Sequence, residues 1–305
     1  MKLALVLNRN AGTLRGMDAE QAARELTAIF ADAGHTVTTT LAEGGGVIDG
    51  LKAAAKAKGT EALVAGGGDG TISGAAGIAV EAGLPLGILP LGTMNLFARS
   101  LGLPADMKEA AAAAAASPPR AIDIGTANGR VFIHVVSLGL HPAMVAEREK
   151  REHGSRITKM IGSVGAWVRV LRKPRRFRLS IAVDGRRIET DTIGAVVSNN
   201  PLGKGHLPYA DRLDGGVLGL YVTTARTRSE IMRVTAGAAL GVLADSPLIE
   251  HRDTAAVDIV VSSPRGVPVT IDGELIRLTG KLAIEIVPGG LKVLAPPVNP
   301  PASAA

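Results

Sequence analysis

The stretch Leu63 to Gly77 reads LVAGGGDGTISGAAG, and it joins an apolar run to an alanine-rich segment through a glycine-rich turn. The apolar run predicts a buried strand, and the segment after the turn predicts a helix. Glycines let a backbone approach a ligand closely, and a helix N-terminus favours an anion. Asp69 lies inside this turn, where its carboxylate would repel a bare polyphosphate.

Three roles for Asp69 are open on these residues alone. It could cap the following helix, which we expect to open at Thr71 and Ile72. It could orient the loop through hydrogen bonds, or it could reach a phosphate through Mg²⁺ and water. The turn is not a P-loop, because no Lys-Ser or Lys-Thr pair follows its glycines.

Around this turn, short apolar runs alternate with amphipathic helical patterns from Leu3 to Leu89. Such alternation predicts a parallel, doubly wound α/β sheet with helices on both faces. Ligands bind such sheets at the carboxyl ends of the strands. Three polar or glycine-rich turns fall at those ends, and they read NRNAG (8–12), GGGDGT (66–71) and PLGTMN (90–95).

The pattern changes after residue 120, where period-2 segments alternate with Gly and Asp-Gly turns. These segments predict an antiparallel β-sandwich, with helices near 142–171 and 228–243. Pro118 and Pro119 follow an alanine-rich helix and predict a hinge. We therefore expect an α/β domain over 1–120, a β-sandwich domain over 121–295 and a disordered Pro/Ala-rich tail over 296–305.

Composition excludes several classes of function. The 305 residues include no cysteine, so disulfides, thiolate catalysis and cysteine-based zinc sites are excluded. Aromatic residues make up 2% of the chain, which argues against a partner nucleic acid stacked on aromatic side chains. The net charge of +6 suits an anionic nucleotide or an anionic membrane surface. The six histidines show no paired spacing for a metal.

We expect a cytoplasmic protein that meets the inner face of the membrane transiently. The N-terminal apolar run ends at Asn8 and Arg9 without a cleavage site, so we expect it to form the first strand. No window approaches the roughly 18 apolar residues of a spanning helix. A basic cluster at 172–178 could contact anionic lipid or could simply be solvated, and it comprises Arg172, Lys173, Arg175, Arg176 and Arg178.

Motif order gives the chain a resemblance to a known family. GGDGT is followed about twenty residues later by P-L-G-T-x-N-x-x-A-R. This order resembles the catalytic domain of the diacylglycerol kinase family, which includes soluble bacterial lipid kinases and is related to sphingosine and ceramide kinases. NRNAG resembles the family's N-P-x-[SA]-G turn, with Arg9 replacing the proline. Asp214-Gly215 and the IDGE segment (271–274) resemble its two later motifs.

The resemblance implies a two-domain architecture like that of NAD kinase and diacylglycerol kinase, with ATP in the cleft between the domains. It implies ATP- and Mg²⁺-dependent transfer of a phosphoryl group to a hydroxyl of a membrane lipid that is diacylglycerol-like or sphingoid, as in phospholipid biosynthesis. The residues expected to bind the nucleotide are Asn8, Asn10, Thr40, Gly66, Gly67, Gly68, Asp69, Gly70, Thr71, Ile72, Thr93 and Asn95.

The resemblance also assigns catalytic and metal-binding roles. Asp272 would be the general base for the lipid hydroxyl, with Glu274 as its neighbour; the alternative is an ordinary Asp-Gly hairpin turn. A second magnesium site would use the side chain of Asp214 and the carbonyls of Asp211 and Gly216, and the alternative is a solvated turn.

Leu96 departs from the bacterial family pattern, which often has Asp in a metal network at that position. The residues therefore leave two further functions open. One is an NAD kinase-like nucleotide kinase, which shares GGDGT. The other is a nucleotide- or lipid-binding protein with weakened catalysis. They indicate neither the identity of the lipid nor an oligomeric state.

Overall fold

The computed structural model describes residues 1–149, 176–204, 207–239, 246–261, 263 and 266–297. The chain divides into two compact units. Unit 1 comprises Met1–Ile124, Asp211–Gly215 and the chain from Val287 onward, and unit 2 comprises Gly125–Ala210 and Gly216–Ile286. Each unit is described by itself below.

Unit 1 contains alternating strands and helices. In chain order they are β1 (Lys2–Asn8), α1 (Ala19–Asp32), β2 (Thr36–Ala42), α2 (Gly46–Lys56), β3 (Ala62–Gly67), α3 (Asp69–Ala82), β4 (Leu86–Pro90), α4 (Leu96–Ser100) and α5 (Met107–Ala116). The strand order is β2-β1-β3-β4, and the end of β16 (Gly280–Leu294) pairs with β4. All of these pairs are parallel, which confirms the predicted doubly wound sheet.

The residue pattern explains this sheet. All six residues of β3 are buried, as expected for a central parallel strand that is covered on both faces. Helix α1 begins where the carboxylate of Asp18 accepts the backbone N–H of Gln21 at 3.0 Å. It buries Leu26 and Phe30, which lie one turn apart on the same face. The carboxyl ends of β1, β3 and β4 lead directly into the three turns singled out in the sequence.

The predicted hinge at Pro118 and Pro119 is not where the chain divides. Pro119 is the first residue of β5 (Pro119–Ala127), a position that a proline can take because the ladder needs no N–H from it there. The division follows Ile124, four residues after the predicted boundary at 120. The predicted domains, each one continuous range, also missed that the chain returns to unit 1 from Val287 onward. This return depends on the last residues of β16, Val293 and Leu294, which pair with β4.

Unit 2 is built mainly from antiparallel strands. They are β6 (Arg130–Phe132), β7 (Val135–Gly139), β8 (Phe177–Val183), β9 (Arg186–Thr192), β10 (Gly194–Asn199), β11 (Leu218–Thr223), β12 (Ile249–Thr254), β13 (Ala256–Val261), β14 (Val267–Ile271), β15 (Glu274–Leu278) and the first part of β16. One sheet has the order β12-β11-β10-β7-β14-β15. The other strands follow the order β16-β13-β8-β9.

One apolar core joins these two layers. Val136 and Val197 from the six-stranded sheet are fully buried in the same cluster as Leu179, Ile259 and Ile284 from the other layer. Packing of two inner faces against each other defines a sandwich. The predicted antiparallel sandwich is therefore confirmed.

Two helices of unit 2 are described, α6 (Leu140–Glu149) and α7 (Arg228–Ala239). The remainder of each predicted helix, to 171 and to 243, lies outside the described residues, as does most of the predicted tail, 298–305. Helix α7 begins with a capping box that the sequence reading missed. The carboxylate of Glu230 accepts the N–H groups of Arg226 and Thr227, and the Thr227 hydroxyl accepts the N–H of Glu230.

Candidate active site

The first turn of the site holds Asn8 at the end of β1. Its side-chain oxygen accepts the N–H of Asn10 at 3.0 Å, which closes the turn. Its side-chain nitrogen donates to the hydroxyl of Thr71 at 3.3 Å, in the first turn of α3. The turn after β1 and the start of α3 are therefore hydrogen-bonded to each other. Asn10 itself is exposed.

The packing of the protein explains two of the four glycines in the second turn but not the other two. A Cβ on Gly66 would lie 2.4 Å from Leu7, and one on Gly67 would lie 2.5 Å from Thr71, so the packing of the protein requires both glycines. A Cβ on Gly68 would meet the nearest atom only at 3.5 Å, and one on Gly70 would meet nothing within 4 Å. Neither Gly68 nor Gly70 has a positive φ. The fold therefore has room for a Cβ atom at these two positions.

Helix α3 begins at Asp69, two residues earlier than we predicted, because Gly68 already provides its N-cap. The N–H of Ile72 donates to the carbonyl of Gly68 at 3.1 Å, and the side chain of Ile72 is buried. Ile72 therefore belongs to the helix and the core. The N–H groups that precede it, in the first turn of the helix, are those that lack an intrahelical acceptor and suit an anion.

Asp69 does not cap the helix that it begins. Its Oδ2 accepts the N–H of Asn95 at 3.0 Å, and its Oδ1 accepts the N–H of Leu96 at 2.7 Å. Both donors lie at the start of α4, in the third turn. Of the three roles considered for Asp69, the structure shows the orienting one, and the orientation couples two loops that lie 26 and 27 residues apart in the chain.

The third turn is closed by Asn95, whose backbone is left-handed with φ of 49°. The Asn95 side chain accepts the N–H of Gly92 and donates to the carbonyls of Gly92 and Pro90. A Cβ on Gly92 would lie 2.6 Å from the Cα of Gly68, so the second and third turns touch backbone to backbone. Asn95 therefore shapes the loop, whereas the side chain of Thr93 is exposed.

Thr40 lies on β2, the edge strand, opposite Val6 of β1. Its side chain is exposed. The pairing of Ala42 with Asn8 shows that this part of β2 approaches the same carboxyl-end edge as the first turn. A nucleotide contact by Thr40 stays a prediction.

In unit 2, Asp272 and Gly273 form the two-residue turn between β14 and β15, with φ of 48° and 85°. This is the Asp-Gly hairpin turn considered as an alternative, and it has a further property. Oδ2 of Asp272 accepts the N–H of Ile133 at 2.9 Å, and Oδ1 accepts those of His134 and Val135 at 2.9 and 3.0 Å. Three backbone donors thus orient this carboxylate.

Glu274 begins β15, and its exposed carboxylate forms an ion pair with the guanidinium group of Arg130. Arg130 lies on β6, three residues before the segment that binds Asp272. The structure therefore brings Asp272, Glu274 and the residues around 130–135 together within unit 2. The sequence reading did not single out Arg130, because nothing near it in the chain indicates a partner 144 residues away.

The sequence reading also missed Asn199, which is 2% exposed at the end of β10. Its backbone N–H donates to the carbonyl of His134 at 2.9 Å, and its side chain donates to the carbonyl of Ile133 at 3.3 Å. These two residues are among those that bind Asp272. The available signal was a pair of amides, Asn199-Asn200, directly after an apolar run.

Of the residues expected to bind a second magnesium ion, Asp214 already has a cationic partner. Oδ1 of Asp214 accepts from Nε of Arg212 at 3.0 Å. Burial lowers the pKa of the Arg120 guanidinium, and the charge of Asp214 acts in the opposite direction, so a second guanidinium lies near this carboxylate. The hydrogen bond from the N–H of Asp123 to the carbonyl of Leu213 holds β5 beside this turn.

Magnesium requires about six oxygen ligands at short distances. In the ranges that the structure describes, no group of three or more His, Asp or Glu side chains could hold a metal ion. The turn offers one carboxylate, with Asp211 and Gly216 as further positions, and it lies among arginines. A second magnesium ion would therefore meet one carboxylate that is already paired with arginine, so this site stays a prediction, and the side chain of Leu96 adds no carboxylate to that of Asp69.

The proposed basic contact surface is described only in part. Arg172, Lys173 and Arg175 lie outside the described residues. Arg176 donates to the carbonyl of Ala225 at 2.9 Å, and Arg178 forms an ion pair with Asp191. No helix among the described residues is long and apolar enough to cross a membrane.

The chain is similar to known proteins over most of its length. Residues 2–127 match the family model of the diacylglycerol kinase catalytic domain, and residues 135–295 match that of the YegS C-terminal NAD kinase beta sandwich-like domain. The chain is 32% identical to a diacylglycerol kinase of Mycobacterium tuberculosis over 257 residues, which cover 81% of this chain and 80% of that protein.

Two further relatives extend the comparison. A Chromohalobacter salexigens protein named "Probable lipid kinase YegS-like" is 29% identical over 283 residues, with 90% of this chain and 88% of that protein covered. The crystal structure of a diacylglycerol kinase from Bacillus anthracis superposes with a TM-score of 0.72 at 20% identity and covers 98% of each chain. At 20% identity the superposition shows only that the two proteins share a fold.

Proposed function

The chain belongs to the diacylglycerol kinase family of lipid kinases, and on that premise we propose that it transfers the γ-phosphoryl group of ATP to a hydroxyl of a membrane lipid. The observation that carries this proposal is the room left at Gly68 and Gly70. The protein's own packing does not require glycine there. A ligand that approaches the start of α3 closely would require glycine at these positions, because a side chain would block its approach.

Unit 1 would bind the nucleotide through its three coupled turns. The free N–H groups at the start of α3 would donate to phosphate oxygens, and Thr71 and Thr93 would offer hydroxyls beside them. Asp69 would keep the second and third turns in register through Asn95 and Leu96. Mg²⁺ carried with the phosphates would neutralise part of their charge, and the carboxylate of Asp69 would meet it through water.

Unit 2 would supply the proton acceptor, Asp272. The lipid hydroxyl oxygen would form a bond to the γ-phosphorus while the bond to the β,γ-bridging oxygen breaks and ADP leaves. The hydroxyl proton would pass to the carboxylate of Asp272, whose orientation three N–H groups hold. Such transfer depends mainly on positioning and charge neutralisation, so a fixed acceptor is an advantage.

One observation favours a second candidate, a nucleotide- or lipid-binding protein with weakened catalysis. The carboxylate of Asp272 already accepts three N–H hydrogen bonds, which is also what a purely structural hairpin anchor would do. The two candidates differ in whether labelled phosphate reaches an acceptor.

The test is incubation of the purified full chain with [γ-³²P]ATP, Mg²⁺ and a total lipid extract, with a parallel reaction that contains NAD in place of lipid. We expect labelled lipid from the wild type and almost none from Asp272→Asn. Asp184→Asn is the matched control, because Asp184 and Gly185 form the same kind of left-handed turn between β8 and β9.

Each other outcome would decide differently. ATP binding without transfer to either acceptor would establish the binding protein, and labelled NADP would establish the nucleotide kinase. Labelled lipid that persists undiminished in Asp272→Asn, or that falls equally in Asp184→Asn, would remove Asp272 from the base role.

A further inference from the structure

Asn199 ends β10 in the interior of unit 2 and is 2% exposed. The next residue, Asn200, is fully buried and has a left-handed backbone with φ of 62°. A left-handed, buried asparagine after a strand costs conformational energy, and such strain persists only where the surroundings hold it. One group that holds this backbone is the hydroxyl of Ser198, which donates to the carbonyl of Asn200 at 2.6 Å.

Two hydrogen bonds that Asn199 donates go to one short segment of backbone. Its N–H donates to the carbonyl of His134 at 2.9 Å, and its side-chain nitrogen donates to the carbonyl of Ile133 at 3.3 Å. Residues 133 and 134 link β6 to β7 and belong to neither strand, and Val135 is the first residue of β7. Asn199 therefore binds the carbonyl groups of two residues that belong to neither strand.

The opposite side of the same segment binds Asp272. The N–H groups of Ile133, His134 and Val135 donate to its two carboxylate oxygens at 2.9 to 3.0 Å. In return, the backbone N–H of Asp272 donates to the carbonyl of Val135 at 2.8 Å. The segment 133–135 thus accepts from Asn199 and donates to Asp272.

We propose that Asn199 is a positioning residue for the reaction, and that it acts on Asp272 through the peptide groups of residues 133–135. The proposal rests on the proposed function, because it assumes that Asp272 accepts the hydroxyl proton. A donor that binds a peptide carbonyl polarises that peptide and strengthens the hydrogen bond that its neighbour donates. It also fixes the direction of the N–H groups that aim the carboxylate, and misplacement by about 1 Å can cost roughly a hundredfold in rate.

The chain contains a matched control in Asn128, which also lies in unit 2 and also binds backbone on both sides of its amide. Its Nδ2 donates to the carbonyl of Lys281 at 3.2 Å, and its Oδ1 accepts the N–H of Ala283 at 2.8 Å. Neither partner belongs to the segment that binds Asp272. Loss of an asparagine clamp in general is therefore separable from loss of this one.

The experiment compares the wild-type full chain with Asn199→Ala, Asn199→Asp and Asn128→Ala. Asn199→Asp keeps the size of the side chain but removes the donor to the carbonyl of Ile133. Two quantities are measured: hydrogen–deuterium exchange of the peptide that contains residues 133–135, and steady-state transfer of labelled phosphate to lipid with kcat and KM for ATP determined separately.

We expect faster exchange at 133–135 in both Asn199 variants and a kcat lowered about ten- to a hundredfold, with KM for ATP within about twofold of wild type. Asn128→Ala should change neither quantity. Unchanged exchange in the Asn199 variants would overturn the proposal, and so would faster exchange with an unchanged kcat. A rise in KM for ATP equal to the loss of kcat would also overturn it, because that pattern indicates that nucleotide binding in unit 1 is weakened as well.

Failure of the proposed function is a distinct outcome. In that case the wild-type chain itself transfers no phosphate to lipid, whereas the exchange measurement still reports whether Asn199 holds the segment. If Asn199→Ala does not fold, Asn199→Asp with its matched volume supplies the same two measurements.

Discussion

Oδ1 of Asp69 lies 2.7 Å from the backbone nitrogen of Leu96 and accepts its N–H. Together with the N–H of Asn95, this donor couples the turn after β3 to the start of α4. Hydrogen bonds to a charged group are among the stronger ones in proteins, at about 1.5 to 3 kcal/mol each. The carboxylate in the glycine-rich turn is therefore explained by the loop that it holds.

Asp69→Ala should lower the free energy of unfolding by about 1 to 3 kcal/mol and weaken ATP binding by about tenfold or more, because the two turns lose their register. Denaturant unfolding and calorimetric titration with ATP measure the two effects. The matched control is Asp106→Ala, since the Asp106 carboxylate also accepts two N–H groups, at the start of α5. That variant should lose about 1 kcal/mol and keep its ATP affinity. Equal loss of ATP affinity in both variants would contradict this role.

Gly70→Ala should leave the protein at least as stable as the wild type and yet weaken ATP binding by about tenfold. A Cβ at this position meets no atom of the protein within 4 Å, and alanine is favoured over glycine in a helix by up to about 1 kcal/mol. Gly77→Ala in the same helix α3 is the control, because it also has open space around its Cβ. It should stabilise without changing ATP affinity. A Gly70→Ala variant that binds ATP as well as the wild type would remove the proposed ligand from the start of α3.

Millimolar Mg²⁺ without nucleotide should leave Tm unchanged in the wild type and in Asp214→Asn. Arginine already compensates Asp214, and a ligand stabilises a protein only if it binds the folded state. Asp214→Asn itself should cost less than about 1 kcal/mol, as exposed ion pairs do. A Mg²⁺-dependent rise in Tm that Asp214→Asn abolishes would establish the second magnesium site at Asp211, Asp214 and Gly216.

The capping box of α7 should make stability depend on pH at the acid side. The N–H groups of Thr227 and Arg226 lower the pKa of Glu230 from its ordinary value of 4.5. A group with a lowered pKa in the folded state stabilises the protein above its unfolded pKa and loses that contribution as pH falls through the folded value.

The stability difference between wild type and Glu230→Gln should therefore be largest near neutral pH and should shrink as the pH falls from 4.5 through the lowered pKa of Glu230. Thermal unfolding across pH 3 to 7 measures this difference. Thr227→Ala removes the other half of the capping box, and its cost should not vary with pH, because a hydroxyl does not titrate in this range. A pH-independent difference for Glu230→Gln would show that its charge is not involved.

Local patterns in the sequence predicted most of the elements of unit 1. The apolar run before Gly66 became β3, and the alanine-rich run before Pro118 became α5, because strand burial and helix propensity act over a few residues. The same local reading placed a domain boundary at the two prolines. The chain divides after Ile124 instead, because β5 begins at Pro119 and runs on to Ala127, and nothing near Pro119 in the chain reveals this.

In the candidate site, too, local features were predictable from the sequence and long-range contacts were not. The sequence by itself identified the three turns and the Asp-Gly pair at 272–273, since glycine and asparagine mark turns by their own backbone preferences. Only the tertiary structure decided that Asp69 binds Leu96, that Asn199 and Asp272 meet on the two sides of residues 133–135, and that β16 returns to β4. Those partners are far apart in the chain, and they come together only because the packed cores of the two units fix which strands and loops become neighbours.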